Sequence, residues 1–343
     1  MTAAPALAAA PFHTSDNDYA DRPGDIGGHR GRALAQLGDV ARRAQDYAGN
    51  AKSAATIRAY ASDWRDFLSW CGARGLAVLP AADSTVALYL TDLADHGAKA
   101  ATLARRLVAI SQAHKAVDLP SPTTSSAVRR VHAGIRRTHG TAQQGKAPTL
   151  VADLKKMVGL LPDSMVGQRD RALLLLGFAG AFRRSELVSL DVADLEFTRA
   201  GLIVNLRRGK TDQEGAGRRI GIPYGANRAT CAMRSVQDWL AAAAIATGPV
   251  FRGVDRFGRV QGGRLCGKSV ALVVKRWAEE ADLDPTRYAG HSLRAGLATS
   301  AAAADVSERN IARQTGHISM VILRRYIRES DLFKGNPAAA VGL

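Results

Sequence analysis

The chain has 343 residues, which is long for one domain and fits two. Its net charge of +16 favours a polyanionic partner, with nucleic acid the first candidate. A membrane partner is disfavoured, because there is neither an apolar run of spanning length nor a basic amphipathic helix with an aromatic face. The cysteines, Cys71, Cys231 and Cys266, lie far apart and lack metal-ligand spacing, which predicts reduced thiols of a cytosolic protein and no cysteine-bound metal. No cofactor is expected.

The first third of the chain predicts an arm followed by a helical domain. Residues 1–32 are rich in Ala, Pro, Gly and Asp without periodicity, which predicts a disordered arm with no secretory signal. Apolar residues then recur at helical spacing over 32–47, 56–75, 85–97, 101–117 and 125–138, with Ser84 as the N-cap of the third helix. We therefore expect an all-helical domain over residues 33–138.

Basic residues crowd the fourth and fifth of these helices. Arginine on a helix can enter a major groove or grip phosphates, so these residues are candidate DNA contacts; the alternative is an ordinary solvated face. A further basic candidate, Lys146, lies in the following segment and is placed to touch backbone phosphate. The candidates on the two helices are Arg105, Arg106, Lys115, Arg129, Arg130, Arg136 and Arg137.

Residues 139–149 carry Gly and Pro without apolar periodicity and predict a linker to a second domain over 150–343. Helices are expected over 149–161, 167–181, 182–195, 228–247 and 268–281, the second of them buried because it is apolar on nearly all sides. Residues 202–207 and 218–223 predict two strands joined by a polar, glycine-rich turn, and residues 251–264 predict a Gly and Arg loop. The domain is therefore of mixed α+β type.

The segment over residues 290–330 carries the candidate chemistry on three predicted short helices. His291 and Arg294 are three residues apart, so a helix beginning near His291 brings both to one phosphate. His317 follows Gly316, a candidate helix C-cap, and Tyr326 comes nine residues later. A phenol attacks phosphorus well only when cations stabilise the developing charge. Each residue also has a structural explanation, Tyr326 as a helix core residue above all.

The ordered set of residues resembles the tyrosine recombinase, or lambda-type integrase, family. The resemblance covers residues 40–335 and rests on an arginine in GAFRRSEL, a hairpin lysine in RGKTD, the pair in GHSLRAG, a histidine in TGHIS and a tyrosine in RRYIR. Some members have tryptophan at the position of His317. The matching residues here are Arg183, Lys210, His291, Arg294, His317 and Tyr326.

The resemblance implies a mainly α fold with a small antiparallel β-sheet, in which a helical core-binding domain and a catalytic domain clamp DNA. Tyr326 would be the nucleophile that forms a 3'-phosphotyrosyl link, and Arg183 and Arg294 would bind the nonbridging oxygens. Lys210 would protonate the leaving 5'-oxygen, His291 would assist proton transfer from the phenol, and His317 would bond a nonbridging oxygen. Glu186 would orient Arg183 or be structural.

The implied partners are double-stranded DNA with inverted-repeat sites, three further copies of the chain in a tetramer on DNA, and accessory DNA-bending proteins. The implied location is the cytoplasm, in association with the nucleoid. Two alternatives remain open: relaxation of DNA by a type IB topoisomerase-like enzyme, and a sequence-specific DNA-binding protein without catalysis. A metal nuclease is disfavoured, because no paired carboxylates accompany the His and Arg residues.

Overall fold

The computed structural model describes residues 40, 42–44, 46–47, 49, 51–142, 145–207, 209 and 217–330, the side chains of 328–330 excepted. The predicted arm over 1–32 lies outside these residues, as do Lys210 and the end of the chain from residue 331. The chain divides into two compact units at residues 143–144. The extent of the predicted linker, 139–149, stays a prediction.

Among its described residues, the first unit consists of helices joined by turns and loops, without a strand. The described positions among 40–49 are also helical; those up to Tyr47 lie in the predicted helix 32–47, and Gly49 lies beyond it. Trp64, Phe67, Tyr89 and Ile110 anchor its buried core, in which one apolar stripe of each helix is packed. Its helices are α1 (Ala54–Gly72), α2 (Asp83–Asp95), α3 (Ala100–Lys115) and α4 (Ser126–His139).

Side-chain caps fix two of these helix starts. The hydroxyl of Ser53 accepts the backbone N–H of Thr56 at α1, and that of Ser125 accepts the N–H of Val128 at α4. The predicted N-cap at Ser84 is wrong, because α2 starts two residues earlier than predicted and Ala82 is its N-cap. The carboxylate of Asp83 instead accepts the N–H of Ser84 at 2.8 Å, which satisfies a donor of the first turn.

The second unit combines helices with two small antiparallel sheets. The predicted buried helix is α6, in which residues 172–176 are all buried. The helices are α5 (Val151–Gly159), α6 (Met165–Ala179), α7 (Arg184–Ser189), α8 (Ala232–Ala242), α9 (Gly267–Glu280), α10 (Ser292–Ala303), α11 (Glu308–Thr315) and α12 (Met320–Ser330). The prediction of a mainly α fold with a small antiparallel sheet is confirmed.

The larger sheet has the order β1–β2–β3, with strands Leu195–Thr198, Gly201–Leu206 and Arg218–Pro223. Its inward residues pair across the strands, Leu202 with Ile222 and Val204 with Ile220, and pack into the core of the unit. The smaller sheet is a hairpin of β4 (Arg252–Val254) and β5 (Val260–Arg264).

Three boundaries differ from the sequence predictions. The predicted helix 182–195 ends at Ser189, and the chain continues through a 3₁₀ turn at Val192–Asp194 into β1. The predicted helix 228–247 begins as a separate 3₁₀ turn and stops at Ala242, where Ala244 takes a positive φ of 50°. The predicted Gly and Arg loop over residues 251–264 contains the β4–β5 hairpin. Its glycines have low strand propensity, so the sequence pattern did not indicate strands.

No helix within the described part of the chain is long and apolar enough to cross a membrane.

Candidate active site

Tyr326 on α12 has both a packing role and an exposed hydroxyl. Its ring lies against a small apolar cluster that joins α10, α11 and α12, so the structural explanation of this residue holds for the ring. Its hydroxyl oxygen lies 2.7 Å from Nε2 of His291, the N-cap residue of α10. When Nε2 carries no proton, it accepts the hydrogen of the phenol. The cluster consists of Ala298, Ala302, Ile311 and Leu323.

Arg294 is a buried cation with donor capacity to spare. The side chain is 1% exposed, and Nη1 donates to the carbonyl of Ala181 at 2.8 Å. Nη2 is buried and has no hydrogen-bond partner among the described residues. Burial, together with the charge of Arg183, lowers the pKa of Arg294 to about 10, so it stays protonated at neutral pH. A buried charged donor without a partner is costly, and an incoming anion would satisfy it.

Arg183 is held by a carboxylate on the next helical turn. Glu186 is 3% exposed; its Oε1 accepts from Arg183 Nη1 at 2.5 Å, and its Oε2 accepts the backbone N–H of Arg183 at 2.9 Å. The second bond satisfies a free donor at the start of α7. The pair is therefore not an ordinary surface ion pair, because the carboxylate is buried and fixes the guanidinium.

His317 lies on the turn that ends α11. Gly316 has a left-handed backbone with φ of 66°, as its predicted C-cap role requires. The Thr315 hydroxyl donates to the carbonyl of Ile311 at 2.7 Å and lies 2.7 Å from His317 Nδ1. With its hydrogen so used, the hydroxyl accepts from Nδ1–H, which leaves His317 Nε2 as an acceptor.

The charges of the site are strongly unbalanced toward positive. Burial, followed by the charges of Arg294 and Arg183, lowers the pKa of His317 to about 4, so this imidazole is neutral above pH 5. The ring centroids of His317 and Tyr326 are 5.8 Å apart, and those of His291 and Tyr326 are 6.1 Å apart. The structure thus brings five of the predicted residues into one group, at a place suited to a phosphate anion: Arg183, His291, Arg294, His317 and Tyr326.

Sequence reasoning missed a third arginine of this site, Arg218 at the start of β3. Its Nη2 lies 3.7 Å from Oε2 of Glu186. Burial lowers its pKa, and the charge of Arg183 acts in the same direction. The signal was present in the strand pattern, because Arg218 alternates with the buried Ile220 and Ile222 and so belongs to the inward face.

The hairpin that should carry the candidate general acid is described only at its base. Lys210 lies outside the described residues, so its role stays a prediction. Arg207, at the base of the same hairpin, is another candidate for this role, but it is bound to carboxylates. Its Nε donates to Asp194 at 2.6 Å and its Nη2 donates to Asp191 at 2.9 Å.

Within the described part of the chain, some of the candidate DNA contacts have bonding partners inside the protein, and others do not. Arg105 is paired with the buried Asp63 at 2.7 Å, and Arg106 is paired with Asp66, so both have structural partners inside the helical unit. Lys146 donates to the carbonyl of Thr286 at 2.6 Å. Contact of any of these residues with DNA stays a prediction. The exposed members that show no such partner among the described residues are Lys115, Arg129, Arg130, Arg136 and Arg137.

Comparison with known proteins gives matches over both units. The phage integrase family model matches residues 149–332, and the model of the phage integrase N-terminal SAM-like domain matches residues 47–117. An integrase/recombinase XerD homolog of Selenomonas ruminantium is 45% identical over 285 residues, which cover 82% of this chain and 83% of that protein. The Cre recombinase of Escherichia phage P1 is 25% identical over 289 residues, 78% of this chain and 82% of that protein.

Solved structures show a similar fold at low sequence identity. A lambda integrase dimer bound to a COC' core site has a TM-score of 0.56 at 15% identity, covering 83% of this chain and 75% of that one. The XerH site-specific recombinase bound to difH substrate has a TM-score of 0.55 at 17% identity, covering 81% and 79%.

Proposed function

Because the chain belongs to the phage integrase family of tyrosine recombinases, we propose that it is a site-specific DNA recombinase. It cleaves and rejoins DNA strands through a 3'-phosphotyrosyl intermediate and exchanges strands between two sites. The observation that carries this proposal is the hydrogen bond between Tyr326 and His291, beside the buried Arg294 with its unpartnered Nη2. A nucleophile, a proton acceptor and a cation with an open donor meet there.

Each step of the reaction replaces one phosphodiester bond with another. The oxygen of Tyr326 forms a bond to phosphorus while the bond from phosphorus to the 5'-oxygen breaks. His291 takes the proton of the phenol, and Lys210 gives a proton to the departing 5'-oxygen. The 3'-phosphotyrosyl bond keeps the energy of the broken bond, so a 5'-hydroxyl from the partner strand rejoins the DNA without ATP.

Charge stabilisation comes from Arg183 and Arg294. Attack adds negative charge to the nonbridging oxygens, and planar guanidinium groups donate to two oxygens in a fixed geometry. Glu186 fixes Arg183, while the carbonyl of Ala181 fixes Arg294. His317 supplies a further bond to a nonbridging oxygen. No step requires a metal ion.

The substrate is double-stranded DNA carrying inverted-repeat sites, on which four copies of the chain assemble. The net charge of +16 and the exposed arginines of α4 support an extended contact with phosphates. Residues 336–343, NPAAAVGL, form a short apolar tail that would pass to a neighbouring copy in the tetramer. The proposal also includes accessory DNA-bending proteins as partners. It places the protein in the cytoplasm, in association with the nucleoid.

The test is covalent capture on DNA. The protein is incubated with random-sequence duplex DNA in the presence of EDTA and stopped with detergent, and the protein-linked strands are sequenced. We expect recovery of one preferred site with the protein on the 3'-phosphate. A requirement for magnesium in cleavage, or attachment to 5'-ends, would contradict the proposal.

A synapsis assay then separates recombination from simple relaxation. Two duplexes of different length that carry the recovered site are mixed, and exchanged products are scored. We expect products of hybrid length. Relaxation of supercoiled DNA without any hybrid product would indicate a type IB topoisomerase-like activity instead.

A further inference from the structure

Arg218 joins two parts of the active site and is only partly exposed to solvent. The side chain is 25% exposed, and its Nη1 donates to the backbone carbonyl of Gln314 at 3.1 Å. Its Nη2 lies 3.7 Å from Oε2 of Glu186 and is buried without a hydrogen bond among the described residues. The guanidinium therefore bridges the carboxylate on α7 and the last turn of α11.

On the α7 side, Arg218 supplies a second cation to the carboxylate that holds Arg183. Glu186 is 3% exposed, and a buried carboxylate that loses its partner is strongly destabilised. When Arg183 turns part of its donor capacity to a phosphate, the attraction between it and Glu186 weakens. Arg218 then compensates the charge of Glu186, so that this carboxylate stays in place.

On the α11 side, Arg218 packs directly against the turn before His317. A Cβ atom on Gly316 would lie 2.4 Å from Nη1 and 2.7 Å from Cζ of Arg218, so the guanidinium occupies the space beside this glycine. The side chain of Gln314 adds a second link to β3, because its Nε2 donates to the carbonyl of Gly221 at 3.3 Å. The start of β3 and the turn before His317 are thus held together twice.

We propose, on the basis of the recombinase function above, that Arg218 is a positioning residue for strand cleavage. It sets Arg183 through Glu186, and it sets His317 through the turn at Gln314–Gly316. It acts on the carboxylate and the turn rather than on the phosphate, because Nη1 donates to the Gln314 carbonyl and Nη2 is directed at Oε2 of Glu186, 3.7 Å away. Its removal should slow the chemical step and leave binding of DNA nearly intact.

The first test compares two neighbouring arginines of one strand. Arg218→Gln and the matched control Arg219→Gln each remove one charge. Arg219, however, is 66% exposed, and among the described residues its ion-pair partner is the exposed Glu196. Single-turnover formation of the covalent adduct is measured on the duplex recovered by capture, beside the dissociation constant for the same duplex. For Arg218→Gln we expect cleavage to fall about ten- to a hundredfold with binding changed less than about threefold.

Arg219→Gln should cleave within about threefold of the unmodified protein, as a solvated residue does. Equal cleavage by Arg218→Gln and the unmodified protein would overturn the proposal. So would parallel loss of binding and cleavage, which would make Arg218 an ordinary DNA contact.

A second test guards against simple misfolding. Arg218→Lys keeps the charge but cannot reach both the Gln314 carbonyl and Glu186. We therefore expect an intact fold by thermal melting and a cleavage rate between those of Arg218→Gln and the unmodified protein. Gly316→Ala should also slow cleavage, and less so in an Arg218→Ala background, where the space of the guanidinium is vacant. Strict additivity of these two substitutions would contradict the positioning role.

The proposed function and the positioning role fail in different ways. If the unmodified protein forms no covalent adduct with any duplex, the recombinase proposal itself is wrong, and the positioning role falls with it. If the unmodified protein forms the adduct and Arg218→Gln forms it equally fast, only the role of Arg218 is wrong.

Discussion

Nε2 of His291 lies 2.7 Å from the phenolic oxygen of Tyr326, although 35 residues separate them in the chain. The contact forms because His291 is the N-cap of α10, while the ring of Tyr326 packs against apolar residues of α10 and α11. A proton acceptor is therefore in place at the hydroxyl. For a phenol with a pKa of about 10, this contact provides the proton transfer that attack at neutral pH requires.

Substitution of Tyr326 by Phe should abolish covalent attachment to DNA and leave affinity for DNA within about threefold, because the ring keeps its packing and only the nucleophile is lost. The measurement is detergent-stable adduct on a labelled duplex, with binding followed by mobility shift. As a matched control, Tyr224→Phe removes the hydroxyl of a 42% exposed tyrosine of the same unit and should leave adduct formation unchanged. Persistent adduct in Tyr326→Phe would exclude this residue as the nucleophile.

Loss of either site arginine should slow cleavage on the order of a hundredfold or more, because charge on the phosphoryl oxygens is then unstabilised. The two arginines differ in their effect on the fold. Arg294 is 1% exposed and bonds the Ala181 carbonyl, so Arg294→Ala should also lower the melting temperature. Arg183→Ala should lower it less, since this side chain is 19% exposed and Arg218 remains beside Glu186 as a second cation. Single-turnover cleavage and thermal melting on the same samples check both statements; a larger loss of stability in Arg183→Ala would contradict the burial argument.

The sequence predicted the elements whose signals are local. The apolar stripes of α1 to α4 and the all-round apolar α6 follow from periodicity, and α10 begins where the spacing of His291 and Arg294 placed it. The candidate site residues could be predicted from their order in the chain. A family resemblance depends on that order and needs no knowledge of the distances between the residues.

What the sequence could not give is the pairing between distant segments. Arg105 reads as a DNA contact, yet its partner Asp63 is 42 residues away on another helix. The β4–β5 hairpin reads as a loop, because glycines weaken the strand signal until cross-strand bonds form. The role of Arg218 could not be predicted, because its partners Glu186 and Gln314 lie on separate helices and come next to it only in the folded protein.

The exposed arginines of α4 should account for part of the salt dependence of DNA binding. Each phosphate contact contributes about 0.9 to the slope of log affinity against log salt, so the double substitution Arg136→Gln, Arg137→Gln should reduce this slope by up to about two. As control, Arg105→Gln breaks the ion pair with Asp63 and should lower the melting temperature more than it changes the slope. The slopes are measured by fluorescence anisotropy over a salt series. An unchanged slope in the double variant would exclude α4 from the phosphate contacts.

His317 should take up a proton when DNA binds. In the free protein, burial and the neighbouring arginines hold its pKa at about 4, below the unperturbed value, so it is neutral at pH 6. Its Nδ1–H is used by Thr315, so Nε2 can donate to a phosphate oxygen only after protonation. A bound phosphate offsets the arginine charges and raises this pKa. The affinity should therefore increase as pH falls from 7 toward 5, by mass action.

Calorimetry in buffers of different ionisation enthalpy measures this proton uptake directly. We expect uptake at pH 6 by the unmodified protein and a clear reduction in His317→Trp, whose indole N–H donates without titration. Equal uptake by both proteins would assign the proton to another group, with His291 the nearest alternative.

The last prediction concerns Lys210 as the proton donor to the leaving group. A 5'-alkoxide leaves poorly without a proton, whereas a thiolate leaves readily, so sulfur at the bridging 5'-position removes the need for a general acid. We expect Lys210→Ala to be strongly defective on ordinary DNA and largely restored on the sulfur-bridged duplex. Arg183→Ala serves as the comparison and should stay defective on both, because charge on the nonbridging oxygens develops in either case. Lys210→Ala that is equally slow on both substrates would show that Lys210 positions the phosphate or the hairpin, and that the proton comes from another group.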